Sequence, residues 1–211
     1  MKPWRRAERT LIERLRTPEA VQRHLRAMPY NREHGGETLR GFRGVVRHRT
    51  AHCLEAALFS ATVLEPHGYP PTVLSFESQD GLDHVLHVFR RDGDRGPWGA
   101  VARSRDDGLH GRAPVYRSAR ELAASYIDPY VDKTGRITGY AVVDLRGLGA
   151  YDWRQGETNL WKVERHLIAQ KHEKLTMSDA RYRSLHRRYV AWREQHPTVP
   201  PDYYERTTHW W

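Results

Sequence analysis

The segment that most constrains the fold runs from His48 to Leu64 and reads HRTAHCLEAALFSATVL. From Cys53 onward it is almost wholly apolar, in a chain whose residues are 29% charged, and this contrast is typical of a buried helix. Small or apolar residues form one broad face of the helix: Cys53, Ala56, Ala57, Ser60, Ala61 and Leu64. Small side chains allow a sheet to pack closely across such a face. We therefore expect this helix, with Thr50 as its N-cap, to lie at the centre of the fold.

Cys53 is the only cysteine of the chain and stands at the predicted start of this helix. The positive end of the helix dipole and the N–H groups of the first turn favour a thiolate over a thiol. A single cysteine excludes an internal disulfide framework. Because buried cysteines commonly act as small hydrophobes, position alone leaves a purely structural role open.

Further helices are predicted on both sides of this segment. Residues 4–16 have the pattern of a basic amphipathic helix, and a second helix with Thr17 as N-cap extends to Met28. The glycine-containing stretch 30–44 is predicted as a loop. Near the end of the sequence, helices are expected over residues 159–171 and 178–194.

The middle of the chain predicts a meander of strands. Four β-rich runs are bounded by turn residues: Pro71–Ser78, His84–Arg90, Trp98–Arg103 and Ile137–Leu145. Residues 91–97 form a hairpin loop centred near Asp94, so the second and third runs pair antiparallel. The polar stretch 104–114 is predicted as a surface loop, and Ser118 begins a capping box that opens a short helix.

These elements predict an α+β protein in three parts. Residues 1–44 form an N-terminal helical cap and loop, residues 45–148 form the core, and residues 149–211 form a C-terminal helical extension packed on the core.

Charge and hydropathy restrict the environment and partners. The net charge is +9, yet no nucleic-acid-binding motif accompanies it, so nucleic acid is an unlikely partner. No window approaches the length of a membrane span, and the basic start MKPWRRAERTLIERL has no apolar core typical of a secretory signal. We expect a cytoplasmic protein with no membrane association.

The order of Cys53 at a helix start, His84 at a strand start and a returning strand resembles the transglutaminase-like branch of the papain-like cysteine enzymes. That family has a His-x-x-x-x-aromatic run, a glycine-containing turn and a tryptophan that begins the next strand. The corresponding residues here are His84 to Phe89, Asp92-Gly93 and Trp98. This part of the resemblance covers about residues 45–104.

A looser resemblance to small bacterial transglutaminase-like proteins extends to about residue 165. It rests on three stretches: WGAVARSRDDGLHGRAPVY at 98–116, SYIDPY at 125–130 and NLWKVE at 159–164. The resemblance implies a papain/transglutaminase-like core, in which the cysteine helix packs on an antiparallel sheet.

The resemblance also implies a chemistry. Cys53 would attack an amide or thioester and form an acyl-enzyme, while His84 holds and returns the proton. Water as acceptor gives hydrolysis, and an amine gives transamidation. The sequence favours neither acceptor. The substrate would be a small or peptide-like acyl compound, with a protein partner as one possible source.

Other histidines near Cys53 are less suited to this role. His87 lies three residues after His84, so on a strand it points to the opposite face and is predicted to be a surface or edge residue. His52 adjoins Cys53, and adjacency on a helix would direct the two side chains apart.

The third catalytic position departs from the family pattern. The family has an aspartate four residues after the tryptophan, where this chain has Ala102. Ser104, opposite His84 in the predicted hairpin, could accept a hydrogen bond from the imidazole, and Asp106 could fold back to do so. Asp83 faces the wrong way on a regular strand. A Cys53–His84 dyad remains open.

Two other functions compete with this one. The thirteen histidines raise the possibility of a metal site, but the chain has no Cys-x-x-Cys or His-Glu-x-x-His motif and no glycine-rich phosphate loop, so we expect no metal and no cofactor. Alternatively, the protein is a catalytically inactive transglutaminase-like binding module that uses its basic surface on nucleic acid or an acidic protein.

Overall fold

A computed structural model describes residues 3–81, 84–204 and 207–211. Within them, seven helices and a six-stranded antiparallel sheet form an α+β fold, which confirms the predicted class. The helices are α1 (Arg6–Arg14), α2 (Pro18–Arg26), α3 (Phe42–His48), α4 (Cys53–Leu64), α5 (Ala119–Ala124), α6 (Trp161–Ile168) and α7 (Asp179–Gln195). The strands are β1 (Thr72–Ser78), β2 (Val85–Arg90), β3 (Trp98–Val101), β4 (Arg112–Tyr116), β5 (Ile137–Asp144) and β6 (Glu173–Lys174).

The strands lie in the order β4-β3-β2-β1-β5-β6. In the β2–β3 hairpin His87 pairs with Val101 and Arg90 pairs with Trp98, so the register is centred on residue 94. This is the register that the sequence predicts.

The cysteine helix α4 lies between the sheet and the N-terminal helices. Leu58 belongs to an apolar cluster with Val73 and Val85 of the sheet. On its other side Phe59 packs against Phe42 of α3, with ring centroids 5.2 Å apart. The helix is therefore covered all round, and every residue from 54 to 64 is buried.

The opposite face of the sheet is covered by α5 and the residues that follow it. Leu122 and Tyr126 pack there against Phe76 and Leu86. Ser118 caps α5 by accepting a hydrogen bond from the Glu121 N–H (3.1 Å), as predicted.

The start of α4 differs from the prediction. Its N-cap is His52 rather than Thr50, and Cys53 is the first helical residue. The Glu55 carboxylate accepts the His52 backbone N–H (3.1 Å), while Thr50 accepts hydrogen bonds from the Arg40 guanidinium. The observed N-cap thus lies two residues after the predicted one and directly precedes Cys53.

The predicted loop over 30–44 is also wrong at its end, because α3 begins at Phe42. Gly41 donates its N–H to the carbonyl of Gly156 (2.9 Å), and a Cβ at residue 41 would lie 2.3 Å from the Trp153 carbonyl oxygen. Glycine at this position lets two backbone segments approach closely, whereas the sequence pattern alone indicated a flexible loop.

The last long helix, α7, is capped by Ser178 as predicted and has no fully buried residue. Polar contacts attach it to the rest of the fold, such as the Arg136–Asp179 ion pair (2.8 Å). Across the described residues, no helix is both long and apolar enough to cross a membrane.

Candidate active site

Cys53 lies at the N-terminal end of α4 and opens into a cavity of about 620 Å³. His52, His84, Ser104 and Asp106 line the same cavity, so the structure brings together all the described candidate residues. Tyrosines and carboxylates make up much of the remaining wall: Tyr30, Tyr130, Tyr189, Tyr204, Glu33, Glu37, Asp132 and Glu164.

Two imidazole rings contact the Cys53 thiol. Burial alone would raise the pKa of Cys53, but hydrogen bonds with His52 and His84, together with the charge of both rings, lower it to about 5. A thiol with this pKa is mostly thiolate at neutral pH and is therefore a ready nucleophile. The site consists of one sulfur between two histidines.

The contact between His52 and Cys53 contradicts the prediction that adjacency separates their side chains. As the N-cap, His52 has extended backbone (φ −89°, ψ −177°), so the helical geometry behind that prediction does not apply to it. Burial would lower the pKa of His52, but the hydrogen bond with Cys53 and the thiolate charge raise it to about 9.

A buried polar network holds His52 in place. Its Nε2 donates to the Thr38 carbonyl (2.9 Å), which directs Nδ1 toward the thiol. Glu55, on the first turn of α4, is bound by Arg40 through Nε (2.5 Å) and Nη2 (2.8 Å) and by Asn31 (3.1 Å). The N-terminal segment thus fixes the ring that adjoins Cys53.

His84 immediately precedes β2 and is also fixed by a backbone carbonyl. Its carbonyl accepts the Phe76 N–H (2.9 Å), which holds it beside β1, and its ring Nε2 donates to the carbonyl of Leu109 (2.9 Å). Because Nε2 carries that proton, Nδ1 is the nitrogen left to face Cys53. The third member of the site is therefore a main-chain oxygen.

Ser104 and Asp106 were predicted to orient His84, and their side chains make other contacts. The Ser104 hydroxyl accepts the Asp106 N–H (3.2 Å), and the β2–β3 pairing ends at His87 and Val101, short of the predicted pairing of Ser104 with His84. Asp106 lies 3.7 Å from the Arg193 guanidinium of α7, and burial raises the pKa of its carboxyl. Asp83, the other candidate, lies outside the described residues.

Ala102, where the family pattern has aspartate, is fully buried. Gln22 of α2 binds its backbone on both sides: Nε2 donates to the Ala102 carbonyl and Oε1 accepts its N–H, both at 2.9 Å. This position therefore joins α2 to the sheet and provides no acid.

The stretch 104–114 is not the predicted surface loop. His110 and Arg112 are buried within it, and β4 begins at Arg112. Main-chain carbonyls accept hydrogen bonds from the Arg112 guanidinium and from His110 Nε2, so a polar sequence is compatible with burial here, although His110 Nδ1 has no partner among the described residues. This stretch also supplies the Leu109 carbonyl, a contribution that no side-chain motif can reveal.

His87 is buried, which contradicts its predicted surface or edge position. It points to the sheet face opposite that of Leu86 and Val88, as strand alternation requires, but α4 covers that face too. Burial lowers its pKa to about 4, partly offset by the hydrogen bond from Nε2 to the Pro70 carbonyl (3.3 Å).

Tyr30 is a site residue that the sequence did not indicate. A parallel bridge to Ala51, with the Asn31 N–H donating to the Ala51 carbonyl (3.1 Å), places it beside the segment that leads into Cys53. Burial and the nearby Cys53 thiolate raise the pKa of its phenol, so the hydroxyl remains a donor. The Arg103 guanidinium lies 5.6 Å from the ring centroid.

Comparisons with known proteins leave the family open: neither the family models nor the curated sequences searched gave a match to this chain. Among the described residues, no group of three or more histidine, cysteine, aspartate or glutamate side chains is arranged to hold a metal ion.

Proposed function

We propose that this protein is a cysteine-dependent acyltransferase or hydrolase that works through Cys53 and His84, with a papain/transglutaminase-like core. The observation that carries the proposal is the Cys53 thiol at the start of α4, hydrogen-bonded to His84 and with its pKa lowered to about 5. Neighbouring imidazoles and a helix N-terminus activate cysteine nucleophiles in this way.

The reaction would proceed in two stages. The Cys53 thiolate attacks the acyl carbon, a C–S bond forms, and the carbonyl π electrons move to oxygen. When this intermediate collapses, His84 gives the leaving amine or thiol the proton that its Nδ1 took from the Cys53 thiol, and the bond to the leaving group breaks. An incoming water or amine then loses a proton to His84, attacks the thioester and releases Cys53 as thiolate.

Two donors would stabilise the oxyanion of each tetrahedral intermediate. The N–H of Cys53 belongs to the first turn of α4, where N–H groups point toward the helix N-terminus. The Tyr30 hydroxyl faces the same cavity and stays protonated beside the thiolate. Removal of one such donor commonly costs about 10²–10³ in rate.

The shape and lining of the cavity bear on the substrate. A volume of about 620 Å³ suits part of a peptide or a similarly sized acyl compound. Its tyrosines and carboxylates provide hydrogen-bonding groups for a polar, peptide-like chain. We propose such an acyl substrate, supplied free or by a protein partner, in a reducing cytoplasmic setting that keeps the thiol reduced.

Trapping the acyl-enzyme tests the proposal. Incubation with p-nitrophenyl acetate followed by intact mass measurement should show one added acetyl group, located on Cys53 by peptide mapping. Cys53→Ser should remain unmodified, and His84→Ala should acquire the group far more slowly. Acetylation spread over lysines, with Cys53 unmodified, would instead support the inactive binding module.

A further inference from the structure

The proposed chemistry depends on how firmly His84 is held, and its partner is a carbonyl in an irregular stretch of chain. Leu109 ends a single 3-10 turn, Asp107–Leu109, between β3 and β4. A loop carbonyl orients an imidazole well only if the loop itself is rigid. What fixes this stretch therefore matters to catalysis.

Arg112 binds the residues on both sides of Leu109. Its Nη2 donates to the Gly108 carbonyl (2.7 Å) and its Nη1 to the His110 carbonyl (2.9 Å). The Tyr126 hydroxyl also donates to the His110 carbonyl (2.9 Å). With both neighbouring carbonyls held inward, the Leu109 carbonyl is left to accept from His84.

The Arg112 guanidinium is itself clamped between two aromatic rings. It lies 4.1 Å from the centroid of Tyr126 and 4.2 Å from that of Trp210, and the side chain is fully buried. Arg112 and Trp210 also form an antiparallel backbone bridge, and the Trp211 N–H donates to the Gly111 carbonyl (3.1 Å). Residues 207–211 thus close over the outer side of Arg112.

We propose that Arg112, clamped by Trp210, is the positioning residue that replaces the missing aspartate, by holding the Leu109 carbonyl against His84. A buried cation with carbonyl and aromatic partners is costly to desolvate, which fits a role in geometry better than one in stability alone. The inference rests on the proposed Cys53–His84 function.

Arg112→Lys tests the inference, because lysine keeps the charge but cannot bind two carbonyls as a fork. The pH profile of Cys53 alkylation by iodoacetamide should shift upward by about one pH unit, so the rate at pH 5 falls roughly fivefold. In ¹⁵N-histidine NMR spectra, neutral His84 should change from the Nε2–H tautomer to a mixture of tautomers. Because an unfolded chain also populates both tautomers, the spectra are compared for a variant whose circular dichroism spectrum and Tm match those of the wild type.

Trp210 provides a milder variant in case Arg112→Lys does not fold. Trp210→Ala should shift the profile in the same direction, and Trp210→Phe should restore it. Trp4→Ala, which removes another half-buried tryptophan that packs on Phe42 of α3, should leave it unchanged.

Two outcomes distinguish a failure of the positioning role from a failure of the proposed function. A wild-type profile with the midpoint of an ordinary thiol, about 8.5, contradicts the proposed function itself. A low wild-type midpoint that persists in folded Arg112→Lys or in Trp210→Ala, with His84 still the Nε2–H tautomer, overturns the positioning role alone.

Discussion

At the scale of single residues, the site is unusual in having two imidazoles on one sulfur. His84 lies beyond the cysteine helix in sequence, whereas His52 is its direct neighbour and N-cap. The pKa of His52 is raised to about 9, so at neutral pH it contributes a positive charge beside the thiolate. The two rings therefore differ in role: both stabilise the thiolate, and only His84 is proposed to move protons.

His52→Ala tests this division. Loss of its hydrogen bond and charge should raise the pKa of Cys53 by about one unit and slow alkylation at pH 5 roughly fivefold. His48→Ala is the matched control, because His48 is exposed at the end of α3. Equal alkylation rates for His52→Ala and wild type would show that the ring does not stabilise the thiolate.

Tyr30→Phe separates nucleophile activation from oxyanion binding. Alkylation by iodoacetamide forms no oxyanion, so its rate should stay near that of wild type. Acylation by p-nitrophenyl acetate does form one and should slow by about 10²-fold. Tyr204→Phe, in the same cavity, should leave acylation unchanged. A parallel loss of both reactions in Tyr30→Phe would assign the phenol to the thiolate instead.

At the scale of elements, the start of α4 depends on a buried ion pair between Arg40 and Glu55. The two side chains are 6% and 0% exposed, and the Arg40 hydrogen bonds lower the pKa of Glu55 although burial alone would raise it. This pair joins the N-terminal segment to the first turn that carries Cys53.

Removing one member of this ion pair should destabilise the folded protein. Arg40→Met leaves the Glu55 carboxylate buried without its main partner, so urea unfolding should show a loss of about 3–5 kcal/mol. The double variant Arg40→Met, Glu55→Met removes both charges and should recover much of the lost free energy of unfolding. If Arg40→Met lowers the free energy of unfolding by less than about 1 kcal/mol, solvent reaches the Glu55 carboxylate.

The elements also show what the sequence could and could not predict. Alternating apolar runs and the Asp92-Gly93 turn were enough for four of the six strands (β1, β2, β3 and β5) and for the hairpin register, because each is a local pattern, whereas β4 and β6 were missed. The sequence does not reveal that the Thr50 hydroxyl accepts from Arg40 (3.2 Å) while His52 is the N-cap, because that contact depends on the tertiary fold. The Leu109 carbonyl is a main-chain atom, so no residue type could signal it.

At the scale of the whole molecule, buried histidines make stability depend on pH. His87 is fully buried, and its Nδ1 has no hydrogen-bond partner within the described residues. Its folded pKa of about 4 lies below the unfolded value of 6.5, so below pH 6.5 the unfolded chain binds the extra proton. Stability therefore falls as the pH decreases from 6.5 toward 4.

His87→Leu should weaken this acid sensitivity. The contribution of His87 to the loss reaches about 3 kcal/mol by pH 4, as the pKa difference requires. Urea unfolding at pH 7 and pH 4.5 should show a smaller difference for His87→Leu than for wild type, whereas His34→Leu, at an exposed position, should behave like wild type. An unchanged difference in His87→Leu would place the acid sensitivity elsewhere.

The pH dependence of Cys53 alkylation tests the central claim most directly, since Cys53 is the only thiol in the chain. We predict that the iodoacetamide rate of the wild-type protein rises with a midpoint near pH 5, and that His84→Ala moves the midpoint upward. A wild-type midpoint near 8.5, unchanged in His84→Ala, would show an ordinary thiol and contradict the account.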